Sequence, residues 1–405
     1  MHDTDVPAQR SKTALVLAGG GVSGAVYEIG ALRALDDLLH GFSVTDFDIF
    51  VGTSAGALVA ACLANGLTPR AMMHHLEMPL DGLAPLRMRD LFALDRGGLV
   101  GRGLRLPEAL LRTLLTVLAA RGHMSLLDVI ETLALALPGG LYDSSALDRY
   151  LAELLSRPGL SNDFRRLACE LRIIATDLDT GERVVFGERP LDAVPISRAV
   201  AASAAVPLVY RPLRIGGRDY VDGGVRGNAS LDVAIERGAQ LIVCVNPLVP
   251  YDQDHASEQV HIRDLGAPGI ANQVFRTFVH AGLHYHLKQI QRRHPEVDVV
   301  LIEPARDDIR MFAEMPMKYA SRTEVARHGF ESVARQLAER YAEHRALFAR
   351  HGIRMERRHA AARLASVSHQ LAAPAGAREL RAALERLEGV LTECSTVQTF
   401  DRSTV

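Results

Sequence analysis

One serine of this sequence stands in a pattern that can support nucleophilic catalysis. The pentapeptide GTSAG, residues 52–56, places Ser54 between a short apolar run and a segment with helical spacing. Gly52 and Gly56 leave room for the sharp strand-to-helix turn that exposes a serine hydroxyl at the N-terminus of a helix. The pentapeptide also occurs by chance, but this placement favours a nucleophile that attacks an acyl carbonyl.

A second glycine-rich turn lies nearer to the N-terminus and follows another apolar run. The stretch LVLAGGGVSG, residues 15–24, contains the pattern G-x-G-x-x-G of dinucleotide-binding proteins through Gly19, Gly21 and Gly24. The acidic residue that should end the next strand is missing, because that strand ends in GTSAG. A phosphate-binding loop is excluded as well, since no Gly-Lys-Ser/Thr follows.

The same turn suits the negative charge of a reaction intermediate. Successive backbone N–H groups at Gly20, Gly21 and Val22 can point at one oxygen when no side chain intervenes. Removing one such donor slows a well-studied hydrolase by about 10²–10³-fold. We therefore predict an oxyanion hole in the segment from Gly19 to Val22.

The base that would activate Ser54 is less evident. Late histidines are plentiful, but most lie in charged helices or loops without the context of a catalytic triad. The segment YVDGG offers Asp222 at the end of an apparent strand, followed by Gly223 and Gly224, which let the chain turn back toward the sheet. A partly desolvated aspartate can act as a general base, whereas Asp-Gly is also a common turn signal. Spacing alone does not separate these two interpretations.

Metal and cofactor sites are not indicated. His280 and His284 lie four residues apart on one face of a predicted helix, but no third ligand is apparent. The four cysteines are scattered and form no CxxC pair, so neither a zinc site nor a disulfide framework is predicted. We predict no metal and no cofactor.

The elements around these motifs predict an α/β fold. Buried strands over residues 13–18 and 48–52 each lead into a helical segment, which is typical of a mostly parallel sheet covered by helices. Strand patterns return at four later segments, 169–178, 182–188, 240–247 and 298–304. The Asp-Thr-Gly between the first two of these suits a hairpin turn.

Composition and charge exclude several classes of protein. Hydrophobic residues make up 48% of the 405 residues, charged residues 23%, and the net charge is −2, which favours a globular protein without a general attraction to nucleic acid. The N-terminal segment has no apolar core like that of a signal peptide, and no stretch approaches about 20 uninterrupted apolar residues. We predict a cytoplasmic protein, and a peripheral membrane contact stays open.

Four segments are predicted along the chain. Residues 1–11 form a disordered N-terminus, 12–305 a catalytic domain and 306–405 a helical C-terminal region. Within the domain, residues 78–140 form a leucine-rich, arginine-bearing helical insertion that serves either as an ordinary packing layer or as a lipid-facing lid. The last helix carries a stripe that could pack on the domain, pair with a second copy or touch a membrane: Leu380, Leu384, Leu387 and Leu391.

Three blocks together resemble the patatin-like phospholipase family. They are GGGVSG with YEIGALRAL, GTSAGALVAACLANG, and the segment from AVAASAAVP to IERGA at residues 199–239. The likeness covers roughly residues 12–250. It implies a three-layer α/β/α sandwich and a Ser–Asp dyad without histidine, here Ser54 and Asp222. It also implies an oxyanion hole from Gly19–Gly21 and hydrolysis of lipid acyl esters through an acyl-serine intermediate.

Two departures from that family leave the substrate open. Ser23 stands where the family often has Arg or Lys, which argues against strong selectivity for a phospholipid headgroup and leaves neutral esters open. Asn228-Ala229-Ser230 replaces the usual Asn-x-Pro, and Arg226 could supply a nearby positive charge. The alternatives to a lipid hydrolase are a lipid-binding scaffold that keeps only the fold, and a thioesterase or acyltransferase with the same dyad.

Overall fold

A computed structural model describes the chain over residues 10–80, 82–95, 139–255, 260–314 and 316–356. Most of the predicted insertion at 78–140 lies outside these residues, as does the leucine-striped last helix. Residues 1–9 of the predicted disordered N-terminus lie outside them as well. A compact unit extends to Met355.

Strands and helices alternate along the described chain. The strands are β1 (Thr13–Leu17), β2 (Leu39–His40), β3 (Ile49–Thr53), β4 (Ala93–Leu94), β5 (Gly140–Asp143), β6 (Glu170–Asp177), β7 (Arg183–Phe186), β8 (Leu208–Tyr210), β9 (Leu213–Ile215), β10 (Arg218–Asp222), β11 (Leu241–Val245), β12 (Asp298–Ile302) and β13 (Arg354–Met355). The helices are α1 (Gly21–Asp36), α2 (Ala55–Ala64), α3 (Pro69–His75), α4 (Met88–Leu91), α5 (Ser145–Leu155), α6 (Ile196–Ser203), α7 (Leu231–Glu236), α8 (Gly266–Arg293), α9 (Ile309–Ala313), α10 (Arg322–Glu339) and α11 (Tyr341–Arg350).

The central sheet is mostly parallel, as predicted. Its strand order is β12-β11-β1-β3-β6-β10-β9, and β7 also pairs with β6. The five strands from β12 to β6 run parallel, whereas β7, β9 and β10 form antiparallel pairs. Parallel strands buried on both faces need apolar side chains at consecutive positions, which explains the unbroken apolar runs in the sequence.

Helices cover both faces of this sheet, which confirms the α/β/α sandwich. On one face, α7 and α8 pack on alternate residues of β1 and β3, including Val16 and Val51. The intervening residues, such as Leu15 and Phe50, are also fully buried and point to the opposite face. That face carries α1, which packs against α2, α3 and α10.

The predicted helical C-terminal region contains a strand. After α11, Gly352 adopts φ +75°, the left-handed conformation that ends helices, and the chain then forms β13. This strand pairs with β2 through Arg354 and Met355. Among the helices that the structure describes, none is long and apolar enough to cross a membrane.

Candidate active site

Ser54 lies at a sharp turn between β3 and α2. It has φ +54° and ψ −118°, a left-handed conformation that residues other than glycine rarely adopt. The turn packs tightly on the neighbouring strand, because a Cβ at Gly56 would lie 2.4 Å from the carbonyl oxygen of Leu17. At Gly52 a Cβ would lie 2.6 Å from Cα of Ala57. The two glycines therefore allow the strained turn that the pentapeptide predicts.

A second serine, Ser203 at the end of α6, holds this turn in place. The backbone N–H of Ser54 donates to Oγ of Ser203 at 2.8 Å. The Ser203 hydroxyl in turn donates to the carbonyl oxygen of Ile174 in β6 at 2.5 Å. Ser203 is fully buried, so its hydroxyl links the turn to the sheet out of reach of solvent. No short motif marks Ser203 in the sequence.

We expect Ser203→Ala to lower the free energy of unfolding by about 1–3 kcal/mol, because it leaves a buried N–H and a buried carbonyl without their partner. Urea unfolding of the purified protein measures this loss. The matched control is Ser23→Ala, since the Ser23 hydroxyl is equally buried but makes no hydrogen bond to any described residue. Equal stability of the two variants would contradict the role given to Ser203.

Strand register brings Asp222 to Ser54. In β6 the consecutive residues Ile174 and Ala175 pair with Thr53 of β3 and Asp222 of β10, respectively. The end of β3 and the end of β10 therefore meet on the two sides of β6. This brings Ser54 and Asp222 together although they are 168 positions apart in the sequence. The Ser54 side chain lies close enough to the Asp222 carboxylate to lower the pKa of that group.

The Asp222 carboxylate is buried and accepts few hydrogen bonds. Only 6% of the residue is exposed, and Oδ1 accepts the N–H of Gly224 at 2.7 Å. Burial raises the pKa of Asp222 to about 6, although the Ser54 side chain and the N–H of Gly224 lower it. A carboxylate with this pKa is a better proton acceptor near neutral pH than an exposed aspartate.

The glycine-rich turn after β1 lies directly beside Ser54. A Cβ at Gly19 would lie 3.2 Å from Cβ of Ser54. The N–H of Gly19 donates to the carbonyl oxygen of Asn228 at 3.2 Å. Gly19 was predicted to contribute to the oxyanion hole, but its N–H group is not free to bind an oxyanion. Nδ2 of Asn228 donates to the carbonyl oxygen of Gly19 at 3.1 Å, which fixes this part of the turn.

The next three N–H groups are free in the part of the chain that the structure describes. Helix α1 begins at Gly21, so the N–H groups of Gly20, Gly21 and Val22 precede or form its first turn, where N–H groups lack partners within the helix. Gly21 has φ +63°, and a Cβ there would lie 2.4 Å from the carbonyl oxygen of Pro316. The positive end of the helix dipole adds to the attraction for an anion.

Ser54 also lines an apolar cavity. The cavity has a volume of about 140 Å³, and Gly21 and Val22 form part of its wall. Most of the remaining wall is apolar and comes from α1, α2, α5 and the end of α3, including Ile29, Leu58, Cys62, Leu76, Leu147 and Leu151. Along α2 the lining extends from Ala55 to Cys62, which corresponds to about 10 Å.

Four of the polar side chains in this wall, His75, Tyr150, Tyr319 and Arg322, have no motif in the sequence. Nε2 of His75 lies 2.7 Å from the Tyr150 hydroxyl, and burial lowers the pKa of His75, which keeps its ring neutral. Arg322 lies with its guanidinium 4.4 Å from the ring centre of Tyr319 and donates from Nε to the carbonyl oxygen of Leu76 at 3.2 Å. Arg322 gives the cavity a positive charge.

The other cation considered from the sequence lies elsewhere. Arg226 donates to the carbonyl oxygen of Gly181 at 3.2 Å and lies 3.4 Å from the Glu182 carboxylate, at the turn between β6 and β7. It does not line the cavity. Ser23 is buried in α1. Any charge that faces a substrate from the described cavity wall therefore comes from Arg322, not from the glycine-rich turn.

Comparison with known proteins places these residues within one family. The sequence matches the family "Patatin-like phospholipase" over residues 15–235. It is 29% identical over 224 residues to the uncharacterized protein YqhO of Bacillus subtilis (strain 168), which covers 53% of this chain and 63% of that protein. It is 22% identical over 228 residues to the probable lipid hydrolase 463L of Invertebrate iridescent virus 6, covering 55% of this chain and 63% of that protein.

The solved structures that resemble the fold are distant. VipD from Legionella pneumophila is 14% identical, with a TM-score of 0.33 and coverage of 82% of this chain and 67% of that one. The match to each of the two curated relatives spans 63% of that relative's length.

Proposed function

Because the chain belongs to the patatin-like phospholipase family, we propose that it is a serine acyl hydrolase that cleaves lipid acyl esters with Ser54 and Asp222. The juxtaposition of these two side chains, at an apolar cavity beside backbone N–H groups without a partner among the described residues, is the observation that carries the proposal. Among the hydrogen bonds described at Asp222, none comes from a histidine. In this proposal the Asp222 carboxylate is the group that accepts the proton.

The reaction proceeds in two halves. Oγ of Ser54 attacks the ester carbonyl while its proton passes to Asp222, and the N–H groups of Gly20, Gly21 and Val22 bind the oxyanion. The C–O bond to the leaving alcohol then breaks, and Asp222 returns the proton to that alcohol. In the second half Asp222 takes a proton from water, and the water attacks the acyl-serine. The bond between the acyl carbon and Oγ then breaks, Asp222 returns the proton to Oγ of Ser54, and the fatty acid leaves.

The cavity favours a substrate with an apolar acyl chain. Each methylene buried in an apolar wall contributes about 0.8 kcal/mol, so a chain that follows α2 gains binding energy until it reaches Cys62. Arg322 in the same wall suits a phosphate or a second carbonyl of the substrate. We propose that the protein meets such lipids at a membrane surface without spanning it.

A fluorophosphonate probe tests the proposal directly. The probe should label one residue, Ser54, with loss of fluoride, and Ser54→Ala should abolish labelling. Mass spectrometry of a lipid extract before and after incubation should then show released fatty acids. If the probe labelled no residue but the protein still bound lipid vesicles, the result would support the alternative of a lipid-binding scaffold without catalysis. Acyl groups transferred to an added alcohol, or cleavage confined to thioesters, would support the acyltransferase or the thioesterase.

The dyad predicts an acid limb in the pH profile. The value of kcat/KM for a neutral ester should fall about tenfold between pH 8 and pH 5, because Asp222 must be ionised to accept the proton and its pKa is about 6. Initial rates across this range measure the effect. An acid limb of kcat/KM with its midpoint near pH 4 would contradict the buried environment of Asp222.

The cavity also predicts a dependence on acyl-chain length. The value of kcat/KM should rise about three- to fourfold with each added methylene and then level off. Cys62→Leu should leave a butyrate ester unaffected and lower kcat/KM for a long-chain ester by about tenfold or more, because it fills the far end of the cavity. The control Cys62→Ala removes volume and should not shorten the preferred chain. If Cys62→Leu lowered kcat/KM equally for both esters, the acyl chain would not extend along α2 to Cys62.

A further inference from the structure

Two histidines of α8 and one glutamate after β12 meet outside the candidate active site. Nε2 of His284 lies 3.1 Å from Oε1 of Glu303, and Nε2 of His280 lies 3.4 Å from the same oxygen. The two imidazole rings lie with their centres 4.0 Å apart. One ligand atom from each of the three residues lies within 4.8 Å of the others. Glu303 supplies a third group able to bind a metal, which the sequence did not indicate.

Nε2 of His280 lacks a hydrogen-bond partner among the described residues. Only 5% of the residue is exposed, and its Nε2 makes no hydrogen bond of acceptable geometry with the described residues. A buried polar nitrogen without a partner is costly, and such groups often mark a site for an ion or a ligand. His284 is more accessible, with 35% of its side chain exposed, so the cluster has a path to solvent.

We propose that His280, His284 and Glu303 bind a divalent transition metal of the zinc type. Ligand atoms about 2.0–2.2 Å from a tetrahedral ion are separated by about 3.3 Å, close to the two measured separations of nitrogen and oxygen. Two imidazoles and one carboxylate suit zinc, whereas calcium and magnesium prefer oxygen ligands alone. The exposed side of His284 leaves the fourth position to water.

The carboxylate ligand is itself held by a neighbouring side chain. Nδ2 of Asn246, which directly follows β11, donates to Oε2 of Glu303 at 3.3 Å. Its Oδ1 accepts Nδ2 of Asn228 at 3.3 Å, and Asn228 also binds the carbonyl oxygen of Gly19. Groups that orient a ligand in this way are typical of metal sites. Here they connect Glu303 to the glycine-rich turn beside Ser54.

The test uses the purified, untagged full chain after treatment with a chelator. Added Co²⁺ should bind with a stoichiometry of one and give the intense visible absorption of a tetrahedral site, and added Zn²⁺ should displace it and raise Tm. His284→Ala and Glu303→Gln should each weaken binding by at least about 100-fold, since direct ligands contribute more than the groups that orient them. Because His284 is partly exposed, its variant should fold, which circular dichroism can check.

His286→Ala is the matched control. His286 lies on the same helix and faces Asp232 at 3.9 Å, outside the cluster, so its variant should bind Co²⁺ as the wild type does. Failure of the wild type to bind Co²⁺ or Zn²⁺ would overturn the proposal, as would unchanged binding in His284→Ala and Glu303→Gln. In either case the three residues form only a hydrogen-bonded cluster. Fluorophosphonate labelling of Ser54 does not depend on this outcome.

Discussion

Replacing Ser54 by alanine is expected to lower ester turnover by roughly 10⁴-fold or more, the scale seen when a hydrolase loses its nucleophile. The change removes the oxygen that forms the acyl-enzyme, and the other hydroxyl that contacts Asp222, that of Thr176, donates to its backbone carbonyl oxygen and not to its carboxylate. The free N–H groups of Gly20–Val22 remain, so a residual rate above that of water is expected. Steady-state hydrolysis of a fluorogenic short-chain ester measures the loss.

The control for this experiment is again Ser23→Ala. It removes a buried hydroxyl from α1, close to the glycine-rich turn, without breaking a hydrogen bond to the described residues. Its turnover should stay within a few-fold of the wild type. Comparable turnover by Ser54→Ala and wild type would show that another residue forms the acyl-enzyme, or that the chain is not a hydrolase.

The turn at Ser54 was predictable because its determinants are local. A strand-to-helix turn with φ +54° at its centre requires small neighbours, and Gly52 and Gly56 stand at the two positions where a Cβ would meet backbone. The unbroken apolar runs likewise predicted buried parallel strands, which the sheet confirms. For Asp222 the sequence pattern was equally compatible with a turn residue and with a general base. The resemblance to the family favoured the base.

Contacts between distant segments were not predictable from the sequence. Ser203 bonds to a turn 149 residues away, and Asn228 bonds to Gly19 across 209 residues. Neither contact leaves a periodicity or a spacing in the chain, because both depend on how strands order themselves in the sheet. Strand order similarly places Glu303, at the end of the edge strand β12, against two histidines of α8.

Replacing Asp222 by asparagine is expected to abolish turnover while making the protein more stable. The pKa of Asp222 is raised by burial to about 6, so ionisation of this group favours the unfolded chain. The contribution of protonated Asp222 to the free energy of unfolding is complete below pH 4, and it is lost as the pH rises from about 4 to 6. At pH 8 Asp222→Asn should therefore raise the free energy of unfolding by about 1–3 kcal/mol, and at pH 4 by little.

Asp177→Asn is the matched control, because it should change stability in the opposite direction. Asp177 also lies on the central sheet and is buried, but a hydrogen bond from Arg218 lowers its pKa, and Nη1 of Arg218 lies 2.7 Å from its Oδ2. Its ionised form therefore stabilises the fold above the pKa of the unfolded chain, and this contribution is lost as the pH falls. Urea unfolding at pH 8 and pH 4 distinguishes the two. If Asp222→Asn were less stable than the wild type at pH 8, the Asp222 carboxylate would be stabilised in the fold. A carboxylate so stabilised would be a poor base for Ser54.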